Sequence, residues 1–436
     1  MSLYTKLPPM AQRAALLEAG EGREFPLGCG EGRDLELLPV AAVGRAMRRV
    51  LARRAPQALQ HGPCEGLEPL REWVCAHLAA QGLRLEPSQV LISSGSRHAL
   101  DLLGKVLIDP ASPVLVQRPT RLGALRALRP YGPRLVGLRC DGQGPEPEAL
   151  ANALPGARMA YVQSRIDDPT GQVIAEARAR ELARLLADSR CWLVEDQSYG
   201  ELWFDQPPAP GLLARRVEHG VVLGSFSALV FPGLRLGWVA GHPALIARLA
   251  QARRAAEPQP CSLSQWVLLH MLRDGFVERQ LPGLRMRYRE RRDALLEALR
   301  RHMPEGVAWT RPQGGAHVWL SLPQGLDAAE LLAPVGQEGL PLLPGQWFDV
   351  GAGGCASFGD CGQCRFAEDP EGAAPVRNAL RLGFANLPPR AVEPCVARLA
   401  GLLGGARQGS IGARARPGRE PGRQLAPLRV HRLRQA

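Results

Sequence analysis

Six short segments carry the residues able to do chemistry: SSGSRHALDLL (93–103), DDPTG (167–171), EDQSYGELWF (195–204), GSFSALVFPGLRLGW (224–238), QGGAHVW (313–319) and NALRLGFA (378–385). Gly95, Ser96 and Arg97 fall at a strand-to-helix turn. Free amides at a helix N-terminus suit a phosphate monoester, and Arg97 would add charge. The plainer reading is an ordinary capped helix start. Asp196 ends a strand, where a carboxylate can serve a site or cap a helix. Arg381 offers a planar fork that binds a carboxylate bidentately, or makes a structural salt bridge. Cys355, Cys361 and Cys364 are spaced C-x5-C-x2-C, with one chelating pair. With Cys395 or Asp360 they could hold zinc. Incidental thiols on a loop, or a redox-sensitive pair, are the other readings. GCGEGR (28–33) lacks a surrounding βαβ unit and is no nucleotide loop. Amine chemistry needs lysine, because arginine cannot give up its proton. Only Lys6 and Lys105 exist among 54 basic residues, so no lysine follows position 105.

The elements that must position these groups follow from hydrophobic period and turn residues. Helices are expected at 41–54, 67–82, 97–108, 174–188 and 243–256. Strands are expected at 90–93, 114–117, 159–163, 191–195, 220–224 and 234–239. Strands alternating with helices predict an α/β domain with a mostly parallel sheet over residues 41–270, after an N-terminal segment 1–40. Ligands of such sheets bind beyond the carboxyl ends of the strands. A long helix at 284–301 then opens a smaller α+β domain, 271–404. That domain contains a Gly/Cys/Asp-rich loop, 346–378, and a short helix, 326–333.

Residues 405–436 read as a disordered basic tail, rich in Gly, Pro and Arg. From Arg407 onward the chain has eight Arg and one Glu, which supplies +7 of the net +12. The basic balance is therefore a tail property. Nucleic acid is expected to touch the tail or nothing. No stretch approaches the roughly 20 apolar residues of a spanning helix, so no membrane partner is expected. MSLYTKLPPMAQRAALLEAG has no continuous apolar run, which implies no secretory leader and a cytoplasmic location. The ten Cys are then free thiols, not a disulfide framework.

Taken in this order and spacing, the six segments resemble the fold-type-I pyridoxal-phosphate aminotransferases, class I/II. The chain is most similar to the aminotransferase-like domain of MocR-type bacterial regulators, over roughly residues 25–404. About 25 residues precede that region, too few for a winged-helix domain, so a stand-alone form is expected. The resemblance implies that Gly95, Ser96, Arg97, Ser225, Ser227 and Arg235 cradle the cofactor phosphate. It implies that Asp196 pairs with the pyridine nitrogen and Tyr199 with the ring hydroxyl, and that Arg381 holds a substrate carboxylate.

The chain departs from that pattern at four places. Ala228 stands where the family has its Schiff-base lysine, the nucleophile and proton shuttle. Asp168 replaces the Asn that donates to the ring oxygen, and an ionised Asp has no donor. Arg121 replaces the aromatic that stacks on the ring, and His61 replaces the Tyr sent into the partner subunit's site. Between Gly345 and Arg381 the chain exceeds the family's usual length by roughly a dozen residues.

These departures predict a non-transaminating pseudoenzyme with pyridoxal phosphate held, if at all, non-covalently, and with no resident metal. Its expected partners are a small amino-acid-like ligand and a second subunit. That subunit is a copy of itself or a lysine-bearing paralogue. Two readings stand beside it: an enzyme that works without the lysine, using His98 or His317 as base, and an active transaminase whose lysine was replaced by engineering.

Overall fold

Short apolar runs become strands buried on both faces, the mark of a mostly parallel sheet covered by helices. Every residue of MAYV (159–162) and of GVVLGS (220–225) is buried. The computed structural model describes residues 35–332, 342–350 and 376–412.

Helices α1 (Val40–Leu59) and α2 (Glu68–Ala79) lead into strand β1 (Val90–Ser93) and helix α3 (Ser96–Leu107). Next come β2 (Pro113–Arg118), α4 (Leu122–Leu128), β3 (Arg134–Asp141), β4 (Gly144–Pro145) and α5 (Pro147–Ala153). β5 (Met159–Val162), α6 (Glu176–Ala187), β6 (Trp192–Asp196), β7 (Gly220–Ser225), α7 (Phe226–Leu229) and β8 (Gly237–Gly241) follow. The eight strands lie in the order β1-β8-β7-β6-β5-β2-β3-β4. The run from β7 to β3 is parallel, whereas β8 is antiparallel to both its neighbours and β4 to β3. Two apolar clusters cover the faces, one built on Leu115, Leu193 and Val222, the other on Val116, Val194 and Leu223. Alternate residues of one strand thus serve opposite faces.

Helices α8 (Pro243–Arg254), α9 (Ser262–Arg273) and α10 (Phe276–His302) lead to a second sheet. It consists of β9 (Ala308–Trp309), β10 (His317–Ser321), β11 (Leu342–Pro344) and β12 (Ala379–Gly383), with α11 (Ala328–Leu332) beside it. Its order is β11-β12-β10-β9, antiparallel throughout. Helix α12 (Pro389–Gly412) ends the described chain, overlapping the first residues of the expected tail.

Most expected elements appear within one to three residues of their predicted bounds. The strand expected at 234–239 is corrected. A 3-10 turn occupies Pro232–Leu234, Arg235 takes φ 53°, and β8 starts only at Gly237. A left-handed residue cannot lie in an extended strand. Helix α9, SLSQWVLLHMLR, is an element that the sequence expectations do not include.

Gly224 on β7 lies opposite Trp238 on β8, whose indole crosses it. A Cβ on Gly224 would stand 2.1 Å from Trp238 Cζ2. Overpacked cores lose about 1–3 kcal/mol, and Gly224→Ala should show that loss in urea denaturation. An unchanged midpoint would mean that the indole simply moves aside.

Candidate active site

The carboxyl ends of β1, β5, β6 and β7 open onto one cavity of about 510 Å³. Its wall includes Ser96, Arg97, Arg121, Asp168, Tyr199, Ser225, Ser227, Ala228 and Arg235. Nine of the residues singled out from the sequence thus share one cavity, drawn from segments more than a hundred residues apart.

One end is built on the turn before α3. Gly95 precedes the helix with φ 100°, a conformation that strongly favours glycine. A Cβ there would also lie 2.9 Å from Arg235 Nη2. Arg235 is itself left-handed, which costs a non-glycine residue roughly 1 kcal/mol. That backbone returns the side chain to the turn, where Nη2 donates to the Ser94 carbonyl at 3.3 Å. Ser225 caps α7, its Oγ accepting from the Ser227 amide at 3.2 Å. Behind the turn Ser94 Oγ donates to Glu257 at 2.9 Å, and the fully buried Arg253 holds Glu257 at 3.3 Å and the Ile92 carbonyl. Amides, hydroxyls and guanidinium groups converge here, which is what a phosphate requires.

The other end centres on Asp196, at the tip of β6. Its carboxylate is wholly buried and fully engaged. Oδ1 accepts from the Ser198 amide at 2.8 Å, and Oδ2 accepts from Tyr161 Oη at 2.7 Å and from Arg121 Nη1 at 2.9 Å. Arg121 Nη1 also reaches Ser96 Oγ and Ser198 Oγ, each at 3.3 Å, and its Cζ lies 5.9 Å from the Tyr199 ring centre. Burial opposes charge on this guanidinium. Asp196, the tyrosines 161 and 199 and Asp168 nevertheless hold its pKa well above the ordinary value.

Asp168 forms the third part. His317 Nδ1, at the start of β10, stands 3.0 Å from Oδ1, and Arg381 Nη1 on β12 donates to the same oxygen at 3.3 Å. Arg121 Nε is 3.8 Å from Oδ2. Burial alone would raise this pKa, but His317, Arg381 and Arg121 outweigh it and hold the carboxyl well below the usual range. Asp168 is therefore ionised and donates nothing. The adjacent Asp167 behaves oppositely. Burial pushes it up to about 7, and its direct hydrogen-bond donors among the described residues, from Thr170 and Gln163, are neutral. Two neighbouring carboxyls diverge because one meets cations and the other does not.

Arg381 lies behind Asp168, 1% exposed, with its Cζ 4.8 Å from the Phe348 ring centre. It does not form part of the cavity wall. His61 is exposed in the α1–α2 connection, away from that wall. Ala228, on α7, contributes a methyl group to the cavity where an amine was sought. Lys105 is on the far part of α3, paired with Asp101 at 2.6 Å. Lys6 and the loop cysteines 355, 361 and 364 lie outside the described residues. Cys395 is buried on α12, its thiol pushed up to about 11 by burial. Tyr161 and Ser198 went unnoticed in the sequence. Tyr161 reads as core in MAYVQ, and only strand pairing of β5 with β6 brings it to Asp196.

Comparison with known proteins assigns the class. The family of class I and II aminotransferases matches residues 24–356, and the chain belongs to it. A 2-aminoadipate transaminase of Thermus thermophilus is 34% identical over 93% of this chain and 94% of its own. An HTH-type transcriptional regulator of Bacillus subtilis is 30% identical over 77% of this chain and 68% of its own. The solved α-aminoadipate aminotransferase of Thermus thermophilus, complexed with N-(5'-phosphopyridoxyl)-L-leucine, superposes with a TM-score of 0.81. It is 32% identical and covers 94% of this chain and 100% of its own. The fold is that of the fold-type-I aminotransferases.

Pyridoxal phosphate is the group this family implies, and the residues meet it unequally. The end around Gly95, Ser225 and Arg235 fits its phosphate. The end at Asp196 does not fit its ring, because Arg121 already occupies the carboxylate, and Ala228 offers no amine for its aldehyde.

Proposed function

We propose that this chain is a non-transaminating member of the aminotransferase family that binds a phosphorylated ligand without covalent attachment. The observation that carries the reading is Ala228 on the cavity wall in a chain whose one described lysine, Lys105, lies elsewhere. Without an amine the cavity has neither a nucleophile for a carbonyl carbon nor a mobile base at that place. His317, the alternative base, is committed to Asp168 and has no place on the cavity wall. His98 accepts from the Ser94 amide at 3.2 Å and points its chemistry at the turn. The homodimer, or heterodimer with a lysine-bearing paralogue, belongs to the same proposal. Val40, Leu51 and Leu59 stand exposed along α1, and mass in solution tests it.

Purified protein with pyridoxal phosphate, 2-oxoglutarate and a panel of amino donors should produce keto acid no faster than the cofactor alone. Ala228→Lys should not restore turnover by itself, since Arg121 still holds Asp196. Turnover by the unmodified protein would overturn the reading. Turnover by the variant alone would confine the defect to residue 228.

A further inference from the structure

We propose that His98 is a proton-operated switch on the turn that opens α3: neutral, it holds the Ser94 amide, and protonated, it releases that amide and bonds Glu257. The proposal rests on the reading above, that the cavity takes a phosphorylated ligand, and adds how that site is regulated.

The observation is one atom with two claimants. His98 Nδ1 lies 3.2 Å from the Ser94 amide nitrogen, a donor, and 3.3 Å from Glu257 Oε2, an acceptor. A ring nitrogen accepts with a bare lone pair and donates with a proton on it, so Nδ1 cannot serve both. Neutral His98 with its proton on Nε2 satisfies the Ser94 amide. Imidazolium has a proton on each nitrogen. Nδ1 then donates to Glu257 and meets the Ser94 N–H donor against donor. Glu257, just beyond α8, is held in place for this exchange. It accepts from Ser94 Oγ at 2.9 Å, and the buried Arg253 pairs with it at 3.3 Å.

Near pH 7 the neutral form is resident. The ring is the third residue of α3, where the positive end of the helix opposes a cation. Burial lowers the pKa of His98. Glu257, beyond α8, raises it and Arg253, on α8, lowers it, while on its own helix Asp101 raises it and Lys105 lowers it. The net direction is downward, so the switch acts below the ordinary value of 6.5.

Ser94 passes the change to the cavity. Its carbonyl accepts from Arg235 Nη2 at 3.3 Å, and Arg235 is part of the cavity wall. Once the Ser94 amide loses its acceptor, the backbone of the turn can rotate, and the carbonyl that holds Arg235 moves with it. The new imidazolium charge alone would draw an anion in. That charge sits against Glu257 behind the turn, whereas Arg235 stands at the wall, so the loosened turn decides and anion affinity falls on acidification.

Sulfate is the probe, because it stays a dianion between about pH 5.5 and 7.5, where a phosphate monoester takes up a proton. Isothermal calorimetry on the full chain should show sulfate affinity falling at least about threefold from about pH 7.5 to 5.5, the range in which a histidine titrates. His98→Asn keeps an acceptor for the Ser94 amide in its Oδ1 and takes no proton, so its affinity should change by less than about 1.5-fold over that range. Asp167 and the other histidines are common to both proteins, so the difference between the two profiles reads His98. Nitrogen-15 spectra of the unmodified protein should show His98 as the Nε2–H tautomer at about pH 7.5, with the Ser94 amide signal moving in step as the ring titrates. An affinity that stays flat or rises on acidification would overturn the regulation, and so would an equal fall in His98→Asn. An Nδ1–H tautomer near neutral pH, or a Ser94 amide indifferent to the titration, would overturn the switch, whether or not the variant folds. Sulfate that binds at neither pH would sink the phosphorylated-ligand reading and the regulation with it, while the tautomer and the Ser94 signal still decide the switch.

Discussion

Asp196→Asn should lower the free energy of unfolding by about 3 kcal/mol near pH 7.5. Removing one partner of a buried ion pair costs roughly 3–5 kcal/mol, because the other charge stays behind without compensation. The lower end applies here, since the Arg121 side chain is 21% exposed and can turn toward solvent in the cavity. Asparagine preserves shape and can still accept from the Ser198 amide. Its NH2 would then face Arg121 Nη1, donor against donor, and Tyr161 Oη would lose an anionic acceptor. Arg121→Leu alone should also destabilise, by leaving Asp196 buried without its cation. The double variant should recover at least about 1 kcal/mol relative to additivity, the size expected of residues in direct contact. Urea melts of the four proteins complete the cycle. An Asp196→Asn protein within about 0.5 kcal/mol of the parent would show that the pair does not hold the site together.

The second large effect belongs to Asp168, and it depends on pH. Asp168→Asn should cost about 3 kcal/mol at pH 7, because Arg381 is buried and its hydrogen-bond partner would become neutral. The family residue at this position would therefore harm this particular chain. The folded pKa of Asp168 is depressed below its unfolded value of 3.8. Its contribution is present above about pH 4 and fades as pH falls toward the folded value. The gap between parent and variant should thus be widest at pH 6–7 and narrow toward about pH 3. Asp167 has the opposite sign. Its folded pKa of about 7 exceeds its unfolded value, so its ionisation removes stability as pH rises from about 4 to 7. Asp167 is present in both proteins, so most of its own contribution cancels in the difference between their curves, apart from the part of its shift that the Asp168 charge causes. A gap of constant size from about pH 3 to 7 would mean that folding does not shift the pKa of Asp168.

These predictions rest on a site of which one part was legible locally and another was not. The turn at Gly95–Arg97 and the strand ending at Asp196 could be read from the sequence. Each depends on residues within one strand, one turn and one helix start, where apolar period and glycine conformation decide the backbone. Five of the sheet's eight strands were legible for the same reason, and a sixth with a displaced start, since these strands are short apolar runs punctuated by turn residues; β3 and β4 were not expected. The absence of a lysine after position 105 is a property of the sequence alone, and no folding changes it.

Tertiary structure decided what the remaining side chains do. Arg121 was an expected ring-stacking position, yet it binds Asp196, 75 residues away. The parallel pairing of β2 with β5 and of β5 with β6 sets the ends of those strands side by side, and no local pattern encodes that neighbourhood. Arg381 was an expected carboxylate ligand for substrate. It donates to Asp168, 213 residues away in the segment that follows β5. An ion pair forms where opposite charges are brought together out of water, and its strength depends on distance and burial. Both are fixed by strand order and packing, so the sequence set which groups the cavity contains and the fold set which of them are already taken.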